Sequence, residues 1–326
     1  MTYQGDPSTL FDSKEDESHE TKLIELSACN DNHCLVRSGN WLLLVNASIE
    51  FHLMNLFTGK RVDLPAMNSS GRSKHENMDS SRETKKYSNK LKENIKCIKS
   101  AVLWINERTG DYVVAWVLRQ NYLFSYKKGD DSWSRLILQG RDSRGFFDMA
   151  YKNSKLYVFT TDHYIRIFDF SRVFPKEEEG IKNPYWNHPF DFVEQPWEYI
   201  WRRKIAIGKS GEVLVILSLK EKKYEEKLLF YVFKMNLESG KWERVYSIGD
   251  GHDEMLIFGH GVTIRAPVRD GGDGVKSDSI CFVEDDVWED SDHLSKCGVF
   301  DLATSKITWP KNLLIDQTHW CFPRFA

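Results

Sequence analysis

The sequence predicts an all-β protein built as a single β-propeller of six or seven blades, closed by pairing of the chain termini. Three observations lead to this prediction: a turn phrase recurs, apolar segments of strand length follow one another, and helical periodicity with caps is missing. Short strands separated by repeated turn signals are typical of sandwiches and propellers. The length of 326 residues and the recurrent hairpin favour the propeller.

The recurrent phrase begins with Asn or Asp, carries Ser or Thr near its middle and ends on Lys. It occurs at residues 55–60, 236–241 and 301–306, and a looser copy lies at 128–133. An Asn or Asp side chain accepts hydrogen bonds from the backbone ahead of it, and Gly tolerates the positive φ of a tight turn. Each copy therefore predicts a hairpin between neighbouring strands.

Aromatic and β-branched residues of strand length mark the predicted strands. These segments are 41–45, 49–54, 101–105, 112–118, 156–160, 164–170, 212–219, 228–235, 279–283 and 299–302. The final segment 320–323, Trp-Cys-Phe-Pro, is expected to pair with strands near the N-terminus, because an open propeller leaves strand edges exposed.

Composition indicates a folded chain without a membrane span. Hydrophobic residues make up 41% of the chain, and the formal net charge of -3 argues against a surface that binds nucleic acid throughout. No apolar stretch approaches the roughly 20 residues that cross a bilayer. Residues 1–20 are polar and acidic and are predicted to be disordered, which leaves 21–326 for the propeller domain. The start resembles no signal peptide, so the cytoplasm or nucleus is expected, with the six cysteines as free thiols.

Three insertions are predicted between the strands, and one of them, 269–277, is a Gly- and Asp-rich tip that is expected to be exposed. Residues 68–94 are rich in Ser and Lys and are expected to be mobile. Residues 175–201 are rich in aromatic residues and proline, and the candidate protein-binding residues in it are Tyr185, Trp186, Trp197, Tyr199 and Trp201. Trp and Tyr supply large contact area at binding hot spots, but they equally serve as core residues that cover a propeller face. Both interpretations stay open from the sequence.

An ordered set of motifs resembles the plant F-box-associated β-propeller family, whose kelch-like members include the kink-suppressor proteins. The motifs are 41–45, 51–60, 62–65, 211–216, 258–261, 279–286, 298–302 and 320–323, and the resemblance runs from about Leu10 to the C-terminus. It implies a non-enzymatic propeller that binds a protein partner, and in full-length members an F-box that docks a ubiquitin-ligase adaptor.

The resemblance leaves little room for an F-box, because only about ten residues precede it. A Skp-type adaptor is therefore expected as a partner only if an upstream F-box is missing from this chain. The expected partner is a protein of unknown identity, with no nucleic acid and no membrane.

No catalytic, cofactor-binding or metal-binding residue is predicted. Cys29, His33 and Cys34 lack a second short-spaced pair for zinc, and His260 between two glycines has no assignable partner group. The alternative is a propeller enzyme, a kelch-type oxidase or a hydrolase, with its site in the central channel. A tight cluster of titratable residues on the channel strands would favour that alternative.

Overall fold

In the part of the chain that the structure describes, twenty-one β-strands form five sheets that are arranged as the blades of a propeller. The computed structural model describes residues 32–46, 48–67, 98–138, 145–208, 211–222, 228–248, 254–258, 263–268, 276–283 and 297–309. The all-β propeller is thus found as expected. The prediction of six or seven blades is wrong, because the described residues form five.

The first three blades are meanders in which each strand pairs antiparallel with the next. Blade 1 contains β1 (Asn32–Ser38), β2 (Trp41–Asn46), β3 (Phe51–Asn55) and β4 (Arg61–Asp63). Blade 2 contains β5 (Ile98–Asn106), β6 (Asp111–Leu118), β7 (Tyr122–Lys127) and β8 (Ser134–Leu136). Blade 3 contains β9 (Phe146–Lys152), β10 (Lys155–Thr160), β11 (Ile165–Asp169) and β12 (Lys176–Glu178).

The fourth blade repeats this pattern and the fifth departs from it. Blade 4 contains β13 (Glu198–Ile207), β14 (Val213–Glu221), β15 (Leu228–Asn236) and β16 (Lys241–Val245). Blade 5 contains β17 (Glu254–Phe258), β18 (Thr263–Pro267), β19 (Ser279–Val283), β20 (Cys297–Asp301) and β21 (Lys306–Thr308). In blade 5, β17 lies between β18 and β19 and pairs with β19 in parallel.

Successive blades meet through the strands at one edge of each sheet. β1 contacts β5, β5 contacts β9, β9 contacts β13, and β13 contacts β18, so these five strands are the innermost ones. The second strands pack between neighbouring blades, and every residue of β14 except the last is buried. In the core of blades 4 and 5, the Phe230 ring lies 5.4 Å from that of Phe258 and 5.2 Å from that of Phe282.

The repeated phrase forms hairpins by the chemistry that the sequence predicts. Asn55 Oδ1 accepts the N–H of Phe57 at 3.1 Å and that of Thr58 at 3.0 Å. Asn236 and Asp301 bind the backbone of their own hairpins in the same way. In blade 2, Asp130 Oδ2 of the looser copy accepts the Lys127 N–H at 2.9 Å.

The blade count falls below the prediction because long connections take up chain length. β4 ends at Asp63 and β5 begins only at Ile98, while blade 5 uses five strands over Glu254 to Thr308. The aromatic insertion is also shorter than expected, since β12 and the start of β13 lie inside the predicted range 175–201 and leave 179–197 as the connection.

Several predictions concern residues outside the described part of the chain. They are the disorder of 1–20, the mobility of 68–94 and the closing pairing of 320–323. In the part that is described, no helix has the length and apolar character of a membrane span.

Candidate protein-interaction surface

The first part of the connection between blades 3 and 4 contacts both of these blades. The Asn183 side chain donates to Ile165 O of blade 3 at 3.0 Å, and its Oδ1 accepts the Tyr185 N–H at 3.0 Å. The Tyr185 hydroxyl in turn accepts the Val213 N–H of blade 4 at 3.2 Å. An Asn-Pro pair marks turns in sequences, so Asn183 before Pro184 is the signal that could have identified this anchor.

Aromatic rings fill the space behind this anchor. The Phe190 ring lies 5.1 Å from Phe233 and 6.0 Å from Phe159, and Phe192 lies 5.4 Å from Phe233. Phe159 belongs to blade 3 and Phe233 to blade 4, so these rings extend the hydrophobic core between the two blades. This part of the insertion has the role of a core satellite.

The predicted binding residue Tyr185 belongs to the same packed layer. Its side chain is 4% exposed, and its ring stacks on Trp242 with the centroids 5.9 Å apart. Burial raises the pKa of Tyr185 to about 12. Trp186 is half-buried, and the Arg166 guanidinium lies 4.5 Å from its ring centroid. Both side chains are engaged within the protein.

The other three predicted residues lie together where β13 begins. Trp197 is 52% exposed, and its carbonyl oxygen accepts the Lys222 N–H at 2.7 Å. Tyr199 and Trp201 are half-buried, and their rings meet edge to face at 6.5 Å. Lys220 Nζ lies 3.3 Å from the ring centroid of Trp201, so a cation covers this indole.

An exposed aliphatic residue extends this aromatic group. Val193 is 79% exposed, and the adjoining Glu194 side chain accepts the Ile200 N–H at 3.4 Å, which ties this stretch to β13. We call Val193, Trp197, Tyr199 and Trp201 the Trp197 patch. Sequence reasoning missed Val193 because it considered only aromatic side chains.

A buried polar cluster links the innermost strands of three blades. Asp148 of β9 accepts hydrogen bonds from Ser100 of β5 at 2.7 Å and from the Ile205 N–H of β13 at 2.9 Å. Lys204 Nζ of β13 lies 3.5 Å from the same carboxyl. All three side chains are at most 4% exposed. The sequence analysis did not predict that these side chains lie together. Because they are buried and bonded to one another, they fit a link between blades rather than a site open to substrate.

Comparisons with known proteins agree with this architecture. Over its whole length, the chain is 49% identical to a putative F-box protein of Arabidopsis thaliana and covers 84% of it. It is 47% identical to F-box only protein 7 of Arabidopsis thaliana over 97% of this chain and 79% of that protein. F-box protein KIB4 of the same plant is 29% identical over 90% of this chain and 74% of that protein.

A family model and a solved structure complete the comparisons. The solved N-terminal domain of Nup159 aligns with a TM-score of 0.35 at 11% identity, over 84% of this chain and 74% of that one, which is too weak to inform the function. The model described as KIB1-4 beta-propeller matches residues 10–301, and this confirms the resemblance seen in the sequence. The chain belongs to the KIB1-4 β-propeller family of plant F-box proteins.

Proposed function

We propose that the chain is a non-enzymatic recognition subunit whose propeller recruits a protein substrate to a ubiquitin ligase. Its relatives are named F-box proteins, and the family resemblance implies that the propeller is the part that binds a protein partner. The proposal places the chain in the cytoplasm or nucleus. A Skp-type adaptor is a second partner in this proposal only if an F-box upstream of this sequence is part of the protein.

The Trp197 patch is the observation that carries the proposal. Trp197 offers an indole that is 52% exposed, and Val193, next to the Glu194 that bonds to β13, is 79% exposed. Burying such side chains against a partner removes apolar area from water, and exposed Trp and Tyr anchor many interface hot spots. Trp201 packs against the hydrophobic core, which gives this part of the patch a rigid support and lowers the entropy cost of binding.

The experiment starts from the tagged full chain in plant cells and ends with purified proteins. Partners that co-purify are identified, produced recombinantly and titrated against the purified chain. The Trp197→Ala variant is compared with Trp309→Ala, because Trp309 is also exposed, at 46%, but lies on blade 5. A hot spot at Trp197 predicts a loss of at least about 2 kcal/mol, or about thirty-fold in Kd, for the first variant alone.

Adaptor binding is a separate measurement with purified Skp-type protein.

Equal affinities of the partner for both variants and the wild-type chain would remove the patch from the proposal. Loss of binding together with a lowered melting temperature in Trp197→Ala would instead assign that side chain to the fold.

A further inference from the structure

A stacked arginine lies at the outer edge of blade 4. The Arg244 guanidinium of β16 lies 3.6 Å from the ring centroid of Tyr231 on β15 and 4.9 Å from that of Tyr246, which follows β16. We call Tyr231, Arg244 and Tyr246 the Arg244 stack. Tyr246 is 54% exposed, and the other two residues are half-buried. Tyr and Arg are among the residue types that dominate interface hot spots.

The Arg244 stack is connected to the Trp197 patch by two contacts. The Phe192 ring lies 5.9 Å from that of Tyr231, and Phe192 directly precedes the exposed Val193 of the patch. The Tyr231 hydroxyl donates to Glu198 Oε1 at 2.6 Å, and Glu198 directly follows Trp197. The proposed binding surface therefore extends across blade 4 from β13 to β16.

Glu198 holds the Tyr231 ring in place. Its side chain is 3% exposed, so it serves the protein and does not reach a partner. Burial, with the Glu198 carboxylate adding to it, raises the pKa of Tyr231 to about 12, and Arg244 opposes this rise. The phenol therefore stays protonated at neutral pH and keeps its bond to Glu198. A ring that is already fixed lowers the entropy that Arg244 loses when a partner binds.

Arg244 keeps hydrogen-bond donors for a partner. No carboxylate among the described residues forms an ion pair with it. Stacking on an aromatic ring engages the face of a guanidinium, whereas its N–H donors lie in the guanidinium plane. This planar fork matches a carboxylate, which accepts two parallel, charge-assisted hydrogen bonds from it.

Two exposed acidic residues, Asp191 and Glu194, lie on the connection before β13. The Glu194 side chain is engaged there, since it accepts the Ile200 N–H at 3.4 Å. Neither acid is among the groups with the largest effect on the pKa of Tyr231, whereas Arg244 is. Arg244 therefore sets the charge that a partner meets at the stack.

We propose that the Arg244 stack selects protein partners by a carboxylate, as the specificity-determining part of the surface that begins at the Trp197 patch. An apolar side chain of the partner packs on Val193 and Trp197, and an Asp or Glu of the same segment accepts paired hydrogen bonds from Arg244. The inference rests on the proposed function in taking a protein segment as the partner.

The test is a selection of displayed random dodecapeptides on the purified, immobilised full chain, with sequencing of the bound peptides. We expect Asp and Glu to be enriched over the unselected library. Arg244→Glu should abolish this enrichment and favour Lys and Arg instead, because the charge at the stack is reversed.

Arg135→Glu is the matched control on blade 2. Arg135 pairs with Phe124 across β7 and β8, as Arg244 pairs with Phe233 across β15 and β16. Its guanidinium also lies over a tyrosine, 4.9 Å from the ring centroid of Tyr122. Because the Trp197 patch is on blade 4, this variant should keep the preference for acidic peptides.

One enriched peptide is then synthesised with blocked ends, once with its carboxylate and once with the corresponding amide. The amide should bind the wild-type chain at least about tenfold more weakly, because the charge-assisted pair is lost. Arg244→Gln should bind both peptides equally. A variant that only loosened the fold would weaken both peptides by the same factor and keep the difference between them.

Three outcomes would overturn the inference. They are a selection without enrichment of acidic peptides, enrichment of Lys and Arg by the wild-type chain, which would assign the surface to Asp191, and an amide effect that persists in Arg244→Gln. The selection needs neither a plant partner nor a ubiquitin ligase. Its failure would leave recruitment through Trp197 standing, and failure of recruitment in the cell would leave the acid preference standing.

Discussion

Single Asn and Asp side chains set the hairpins of this protein. The bonds of Asn55 recur at Asn106, whose Oδ1 accepts the Arg108 N–H at 3.0 Å. This copy joins β5 to β6 and was missed in the sequence, because Glu107 replaces the Leu and Asp111 the final Lys of the other copies. Turn chemistry could be predicted from residue types alone, whereas the position of each hairpin within a blade could not.

Replacing Asn55 tests this turn chemistry. Asn55→Ala removes the acceptor of two backbone N–H groups, and we expect the free energy of unfolding to fall by about 1–2 kcal/mol. Asn55→Asp keeps an acceptor oxygen and should lose much less. Urea unfolding of the three proteins measures the difference, and equal losses for Ala and Asp would contradict the explanation.

His52 makes stability depend on pH. Its side chain is 2% exposed on β3, and burial, followed by the charge of Arg61, lowers its pKa from 6.5 despite the opposing charges of Asp63 and Glu50. The unfolded chain therefore takes up a proton more readily than the folded chain. The free energy of unfolding must then fall as the pH decreases through about 6.5.

The His52→Gln variant should lose this contribution. We expect its unfolding free energy to decrease less than that of the wild-type chain between about pH 7 and pH 5. His33→Gln, at an exposed position on β1, serves as the control. Chemical unfolding at several pH values gives the curves, and parallel curves for the wild-type chain and His52→Gln would exclude His52 as the cause.

At the scale of strands, the sequence identifies the middle of each blade better than its edges. β6 and β14 are apolar and rich in β-branched residues, because they are covered by neighbouring blades on both sides. The outermost strands β4, β8 and β12 have three residues each, too few for a pattern. The innermost strand β13 carries Trp, two Arg and Lys in succession, and the sequence analysis predicted no strand there.

The Asp148 cluster is expected to hold the innermost strands of blades 2, 3 and 4 together. Burial raises the pKa of Asp148, although Lys204 and the hydrogen bonds oppose that rise. Asp148→Ala would leave the Lys204 ammonium buried without its counter-charge, so we expect a loss of about 3–5 kcal/mol. Thermal and urea unfolding measure it.

Two further variants separate this electrostatic cause from a general effect. The double variant Asp148→Ala with Lys204→Met should recover part of the loss, because no unpaired charge stays buried. Asp63→Ala, at an exposed ion pair, should change stability by less than about 1 kcal/mol. A double variant no more stable than Asp148→Ala would point to lost packing instead.

At the scale of the whole molecule, the class and family could be predicted and the blade count could not. Local patterns reveal strands and turns, but the number of blades depends on how much chain the connections use. In blade 5, β17 pairs with β19 in parallel. No local pattern in the sequence predicts this strand order. Only part of the candidate site could be predicted from the sequence. Aromatic content located the segment, but it did not distinguish the buried Tyr185 from the exposed Trp197.

The half-life of the bound partner in plant cells tests the central claim most directly. If the propeller recruits that protein to a ubiquitin ligase, raising the level of the wild-type chain should shorten the half-life and increase ubiquitylation. The Trp197→Ala variant should do neither, while Trp309→Ala should act like the wild-type chain. An unchanged half-life would contradict the account, and a lengthened one would show that the chain shields its partner instead of delivering it.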